Sequence, residues 1–318
     1  MTSNYQYNDL GEGQIRVLRL RRGSLGDPVD CELHTVKLNS PGPFEAISYA
    51  WGYPDYKKEE ITCWGQPLHV SPSLYTALLH FRQEETDRDL WADAICIDQS
   101  NDSEKGRQVN IMGTIYSCAT RVLVWLGTDT NNDIGTAIQL IKDVNKHFEE
   151  NYVPSQDEVE PLHLIPSLPD NSPLLDVSRW QAFKNLLDRP WFGRVWVLQE
   201  VGLARSAMAF VGRSMISIDE IVQLGLLKTT RPDLYHIPVT PNVGRLCDAF
   251  FSIWSSFRGP GSWLQKRPIL REYAAFHQRT VGDTFVDVLD TARKFEATDE
   301  RDFVYAFLGN SILYGSSP

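Results

Sequence analysis

Residues 90–127, LWADAICIDQSNDSEKGRQVNIMGTIYSCATRVLVWLG, read as strand, polar loop, helix and strand in a single pass. Leu90 to Ile95 is an apolar run bounded by charge, the pattern of a strand buried on both faces in a parallel sheet. It gives way to Asp98, Gln99 and several small polar residues, so a turn follows. Ser103 is then the expected helix cap, because Val109, Met112, Ile115, Tyr116 and Ala119 recur beyond it at helical spacing. Val122 to Leu126 is a second apolar run, closed by Gly127. Together these make a βαβ unit, and the expected class is α/β: a Rossmann-like parallel sheet core flanked by helices.

Working outward, Ile15 to Leu20 and Cys31 to Leu38 read as strands about a turn-rich connection, and Phe44 to Tyr49 as a core strand ending before Trp51 and Gly52. Ile61 to Cys63 and Leu68 to Val70 flank Trp64-Gly65-Gln66-Pro67, a hairpin pattern, and Ser71-Pro72 opens a helix to about Arg82. Ile134 to Phe148 has helical spacing. Residues 151–176 hold too many prolines for regular structure and read as a long loop or lid. A helix from Val177 is expected to stop before Pro190, and RPWFGRVWVLQEVGLA to begin another, with Trp196 and Glu200 four apart on one face. A second hairpin is expected about Gly212-Arg213. Helices are expected over Ile218 to Leu227, Val243 to Phe257, Ile269 to Gln278, Thr284 to Phe295 and Asp299 to Leu308. The expected division is a β-rich N-terminal segment, 1–43, an α/β core, 44–211, and a hairpin and helical part, 212–318, packed on the core. The last helix lies so close to residue 318 that the chain reads as a piece of a longer protein.

A length of 318 residues suits one large α/β body with added helices or two packed domains. The net charge of -10, with no basic run, argues against nucleic-acid or anionic-membrane partners, since phosphate backbones require a positive patch. Five scattered cysteines, never as CxxC, indicate neither a disulfide framework nor a zinc ribbon and fit a reducing compartment. There is no signal-peptide pattern and no run of 18 apolar residues, so a cytoplasmic chain without a membrane span is expected.

In open parallel sheets the ligand crevice lies at the carboxyl ends of the strands. That edge collects Tyr49, Trp51, Asp93, Asp98, Gln99 and Asp129, provided that the strands are adjacent. Asp93, inside its apolar run, needs a partner to remain charged. Asp98 is also an ordinary turn residue, Trp51 also a packing residue, and Cys96 also a buried thiol. Neither GxGxxG nor GxxxxGK[ST] occurs, nor GxSxG nor HExxH, so the usual dehydrogenase, NTPase, hydrolase and metalloenzyme signatures are missing. Glu200 remains, among Arg194, Trp196 and Gln199. Desolvation raises such a carboxylate's pKa and an arginine lowers it, and an Arg–Glu structural ion pair is the plain alternative to a catalytic acid.

Four segments together, FEAISYAWG, residues 90–127, RPWFGRVWVLQEVGLA and DERDFVYAFLG, resemble the fungal HET (heterokaryon incompatibility) domain family across residues 44–309. The resemblance implies a fungal protein of non-self recognition and regulated cell death, usually joined to other domains. It further implies a distant relation to TIR domains, α/β folds of which some cleave NAD with one glutamate. Trp196-Val-Leu-Gln-Glu200 is similar to the TIR segment in which a tryptophan precedes that glutamate. The expectation is therefore a TIR-like NAD glycohydrolase with Glu200 catalytic and Tyr49, Trp51, Gly52, Asp98, Gln99, Arg194 and Trp196 around NAD as substrate. No metal and no separate cofactor are required, and a homo-oligomer and other recognition proteins are the expected partners. The alternatives are a non-enzymatic oligomerising module and a nucleotide-binding regulator without turnover.

Overall fold

The computed structural model describes residues 5–52, 57–152, 162, 165–252, 266–273, 290–297 and 299–306. Among the described residues nine strands form one mixed sheet: β1 (Gln14–Leu20), β2 (Asp30–Lys37), β3 (Glu45–Tyr49), β4 (Glu59–Cys63), β5 (Gln66–Val70), β6 (Arg88–Trp91), β7 (Val122–Trp125), β8 (Ala207–Val211) and β9 (Ser214–Ser217). Their spatial order is β5-β4-β2-β1-β6-β3-β7-β8-β9. β6, β3, β7 and β8 run parallel as a central block, with β3 between β6 and β7, while β1 joins antiparallel to β6 and β9 antiparallel to β8. The expected α/β class thus holds, as a mixed sheet with a parallel centre. Strands from 1–43, from 44–211 and from beyond 212 all share it.

Local chemistry accounts for most of these elements. All four residues of β7 are buried, as a central parallel strand covered on both faces requires. Trp64 and Gly65 both have positive φ (51° and 73°), the geometry of the tight turn that lets β4 and β5 pair without splaying. Helix α1 (Pro72–Phe81) starts on Ser71, whose hydroxyl accepts the Leu74 N–H at 3.2 Å, and buries Leu74, Ala77, Leu78 and Phe81 along one stripe. Helix α4 (Ile134–Glu150) buries Ile134, Ala137, Leu140, Ile141, Val144 and Phe148 at the same spacing.

The run from Leu90 is not one strand. β6 ends at Trp91, and Asp93–Cys96 forms a helical turn, α2, with Ile95 and Cys96 N–H groups donating to the Ala92 carbonyl at 3.0 and 2.8 Å. A buried apolar run this short fits a helical turn as well as a strand, and here Asp93 starts the turn by accepting its neighbour's N–H. Nor does Ser103 cap α3 (Asp102–Cys118). Asn101 does, accepting the Glu104 N–H at 3.0 Å. Glu104 is held in that position by the buried guanidinium of Arg16 on β1, which donates at 2.6 Å.

After α5 (Val177–Leu187) the RPWF segment is a 3-10 turn, Pro190–Gly193, and only Val197–Gly202 is helical, as α6. The continuous helix expected there is broken because Gly193 and Val195 pair with Glu296 through their backbones, at 2.7 and 3.0 Å. Helices α7 (Ile218–Thr230), α8 (Pro232–Tyr235) and α9 (Asn242–Ser252) follow, and Asp302–Tyr305 is a further short helix. The parts of the expected helices at 253–257, 274–278, 284–289 and 307–308, and residues 153–161 and 163–164 of the proline-rich loop, lie outside the described residues. Among the described residues no helix is long and apolar enough to cross a membrane.

Candidate functional site

The carboxyl ends of β3 and β6 carry a buried polar network. Ser48, the one serine of β3, donates to Glu200 Oε2 and accepts from Trp191 Nε1 at 2.7 Å. Arg194 donates to both Glu200 oxygens, at 3.4 and 3.3 Å, and also to the Tyr49 carbonyl at 2.5 Å. Beyond Tyr49 lies Asp93. Its Oδ1 accepts the Tyr49 hydroxyl at 3.1 Å and the Ala94 N–H at 2.7 Å, and its Oδ2 accepts Trp51 Nε1 at 3.0 Å.

Each position follows from its element. Ser48 and Tyr49 close β3, the Pro190–Gly193 turn sets Trp191 against Ser48, and the extended residue after that turn carries Arg194 across the strand end. Glu200 lies in the first turn of α6, its N–H bonded to the Trp196 carbonyl at 3.0 Å. Asp93 reaches the network because α2 begins one residue after β6.

Exposure falls steeply from the rim inward: Trp51 is 43% exposed, the Arg194 side chain 18%, and Glu200 1%. Desolvation pushes the Glu200 carboxyl above its ordinary range, against the opposing pull of Arg194 and the Ser48 hydroxyl. Asp93 is raised for the same reason, with Arg194 again opposing. Burial works against the charge on Arg194, but Glu200 and Asp93 together hold its pKa above the usual value. Two carboxylates share one guanidinium. The second carboxyl group leaves the site with more acidic than basic side chains, which suits it to placing negative charge beside a developing cation.

Of the residues expected around the site, Tyr49, Trp51, Arg194 and Glu200 are brought together. Gln99 lies behind them, its amide donating to the Asp93 carbonyl at 3.0 Å. Asp98 is spent on its own turn, accepting the Ser100 N–H and hydroxyl at 3.0 and 2.6 Å. Asp129 likewise serves α4, accepting the Asp133 N–H at 3.2 Å. The Trp196 side chain bonds Asp302 rather than turning to Glu200. Gly52 follows Trp51 on the exposed rim with φ +84°. Ser48 and Trp191 were not among the expected residues, and Asp93 has a larger part than a cleft-lining one. A hydroxyl inside a buried strand and an acid inside an apolar run were their signals. Among the described residues no group of three or more His, Cys, Asp or Glu side chains is arranged to hold a metal ion.

Comparison with known proteins bears on this arrangement. Residues 44–200 match the family model described as Heterokaryon incompatibility protein (HET), a span that ends on Glu200. A curated relative from Neurospora crassa, heterokaryon incompatibility protein 6, OR allele, is 26% identical over 328 residues, covering 93% of this chain and 47% of the relative. The chain thus spans about half the length of that relative. No solved structure matches.

Proposed function

Residues 44–200 belong to the HET family, and from that premise we propose that the chain acts in fungal non-self recognition as an effector that hydrolyses NAD at the nicotinamide–ribose bond. The reaction consumes water and yields nicotinamide, ADP-ribose and a proton. Nicotinamide leaves a pyridinium as a neutral base, so departure needs no acid, and a carboxylate under the ribose stabilises the oxocarbenium-like transition state. One observation carries the reading: Glu200 is buried at the carboxyl edge of a parallel sheet, held by Arg194 and Ser48, with Asp93 and the exposed Trp51 indole leading in from solvent. Trp51 offers the ring face on which nicotinamide stacks.

A second reading has its own support. Both Glu200 oxygens are already bonded and its side chain is 2% exposed, as in a network that only rigidifies an interaction module. The two readings separate in one experiment, incubation of the purified chain with NAD under conditions that favour self-association. Nicotinamide release by wild type and at least a ~100-fold loss in Glu200→Ala are expected of an enzyme. No release by wild type, or equal release by the variant, favours the interaction module. A melting shift with NAD but no product would mark a nucleotide-binding regulator. Self-association and further domains are part of the same proposal, because the relative continues well beyond the matched length.

A further inference from the structure

Among the described residues, Arg189 makes no close ion pair. Its Nη1 donates to the carbonyls of Leu126 and Thr128 at 2.8 and 3.0 Å, its Nε is buried with no hydrogen-bond partner, and among the described residues no carboxylate lies within 4 Å of it. Desolvation lowers its pKa, and Asp129 and Asp133 act on it only from beyond ion-pair distance. Gly127, whose φ of +94° favours glycine, turns the chain beside the guanidinium, and a Cβ there would stand at ordinary contact distance, 3.5 Å, from Nη1.

The placement of this cation relates it to the site. Residues 189–194 form one strap across two neighbouring strand ends. Arg189 binds the carbonyls just past β7, Trp191 binds Ser48 of β3, and Arg194 binds the Tyr49 carbonyl and Glu200. Tyr49 and Trp125 are register partners, so Leu126 to Thr128 leave the sheet one strand over from Trp51. That displacement is about one strand spacing, ~5 Å, sideways and about one residue, ~3 Å, along the strand direction, so the two positions are near neighbours on the same sheet edge.

We propose that Arg189 is the contact for the diphosphate of a dinucleotide lying along the carboxyl edges of β3 and β7, with its nicotinamide riboside end toward Glu200. The proposal rests on the NAD reading of the same site and adds the residue that holds the other half of the substrate. Arginine suits the task, since with Nη1 on the two carbonyls and Nε buried, Nη2 still carries N–H donors and a share of a permanent delocalised charge for a phosphate oxygen. It also explains how a chain of net charge -10 without a basic run can hold a polyanion: one partly desolvated guanidinium replaces a patch.

The test uses the full chain and reads binding separately from turnover. ADP-ribose is titrated calorimetrically into wild type, Arg189→Gln and Arg189→Lys, with inorganic pyrophosphate as a parallel probe. Glutamine keeps an amide donor for the Leu126 and Thr128 carbonyls and loses the charge. Lysine keeps the charge should the glutamine variant fail to fold, which melting curves reveal. Loss of one charge-assisted contact predicts about 10–100-fold weaker ADP-ribose binding by Arg189→Gln, a similar rise in KM for NAD, and an intermediate effect of lysine. Equal ADP-ribose affinity in wild type and both variants, or none in wild type, overturns the assignment. So does pyrophosphate binding as tight as ADP-ribose, which would make this a bare phosphate site. Arg189-dependent ADP-ribose binding without any release of nicotinamide from NAD would support the diphosphate contact and sink the hydrolase reading instead.

Discussion

Glu200 and Asp93 compete for one guanidinium, and the consequence is a pH dependence of defined sign. The Glu200 carboxyl titrates above its ordinary value of 4.5 in the folded chain, because burial outweighs Arg194 and Ser48. Between the unfolded and folded pKa values the native state holds more protons than the unfolded state, so stability falls as pH rises through that window. Its contribution is complete below about 4.5 and is lost as pH passes the folded value. Glu200→Gln imitates the protonated acid and removes this dependence. Urea unfolding from pH 5 to 8 is expected to move in the variant's favour with rising pH, by at most about 1.4 kcal/mol per pH unit. Asp93 keeps its own slope of the same sign in both proteins. A difference between the two proteins that is constant with pH, or that moves the other way, would mean that Glu200 is ionised throughout.

At the level of elements, the Arg16–Glu104 pair does for the fold what Arg194 does for the site. Arg16 on β1 meets Glu104 in the first turn of α3 at 2.6 and 3.0 Å, with both side chains 2% exposed. It also donates to the Cys96 carbonyl at 3.0 Å and stands 4.9 Å from the centre of the Tyr7 ring. Glu104 in turn accepts the Asp98 N–H at 2.8 Å, so the pair ties the N-terminal strand to the loop between α2 and α3. Removing one partner strands a buried charge. Arg16→Met or Glu104→Leu is therefore expected to cost about 3–5 kcal/mol in urea unfolding, and the double variant less than the sum by about 0.5–3 kcal/mol. Strict additivity would show that the two charges do not act as a pair. This contact also explains what the sequence hid. Serine and asparagine in SNDS are equally good caps, and a partner 88 residues away decides for Asn101 by fixing Glu104. The strands β3, β4, β5, β7, β8 and β9 and the capped helix α1 were legible because period, turn chemistry and burial agree within each segment. The α2 turn was not, because four buried residues carry no readable period. In the site, Tyr49 and Trp51 were legible as aromatic residues at a strand end and Glu200 and Arg194 as charges at an aromatic-rich helix start, whereas the Asp93 contacts to Tyr49 and Trp51 span 44 and 42 residues and depend on β6 lying next to β3.

For the whole molecule, the family match stops at residue 200 but the sheet does not. β8 covers the outer side of β7, pairing Val122–Trp125 with Ala207–Phe210, and β9 then covers β8. Without residues beyond 203, β7 would be an open edge with four apolar residues, long enough to recruit other chains. The same cut removes Glu296, whose backbone pairs with Gly193 and Val195 on either side of Arg194, and Asp302, which holds the Trp196 side chain. Sheet and site thus depend on the part of the chain outside the family match. A fragment of residues 1–203 is expected to enter aggregates at concentrations where the full chain remains dispersed, and its soluble fraction to show fast amide exchange at Val122–Trp125. Size-exclusion chromatography with light scattering and hydrogen-exchange mass spectrometry read these two outcomes. A monomeric fragment that protects β7 as the full chain does would show that the matched region folds by itself. The role of β8, β9 and Glu296 in holding the Glu200 network would then be disproved.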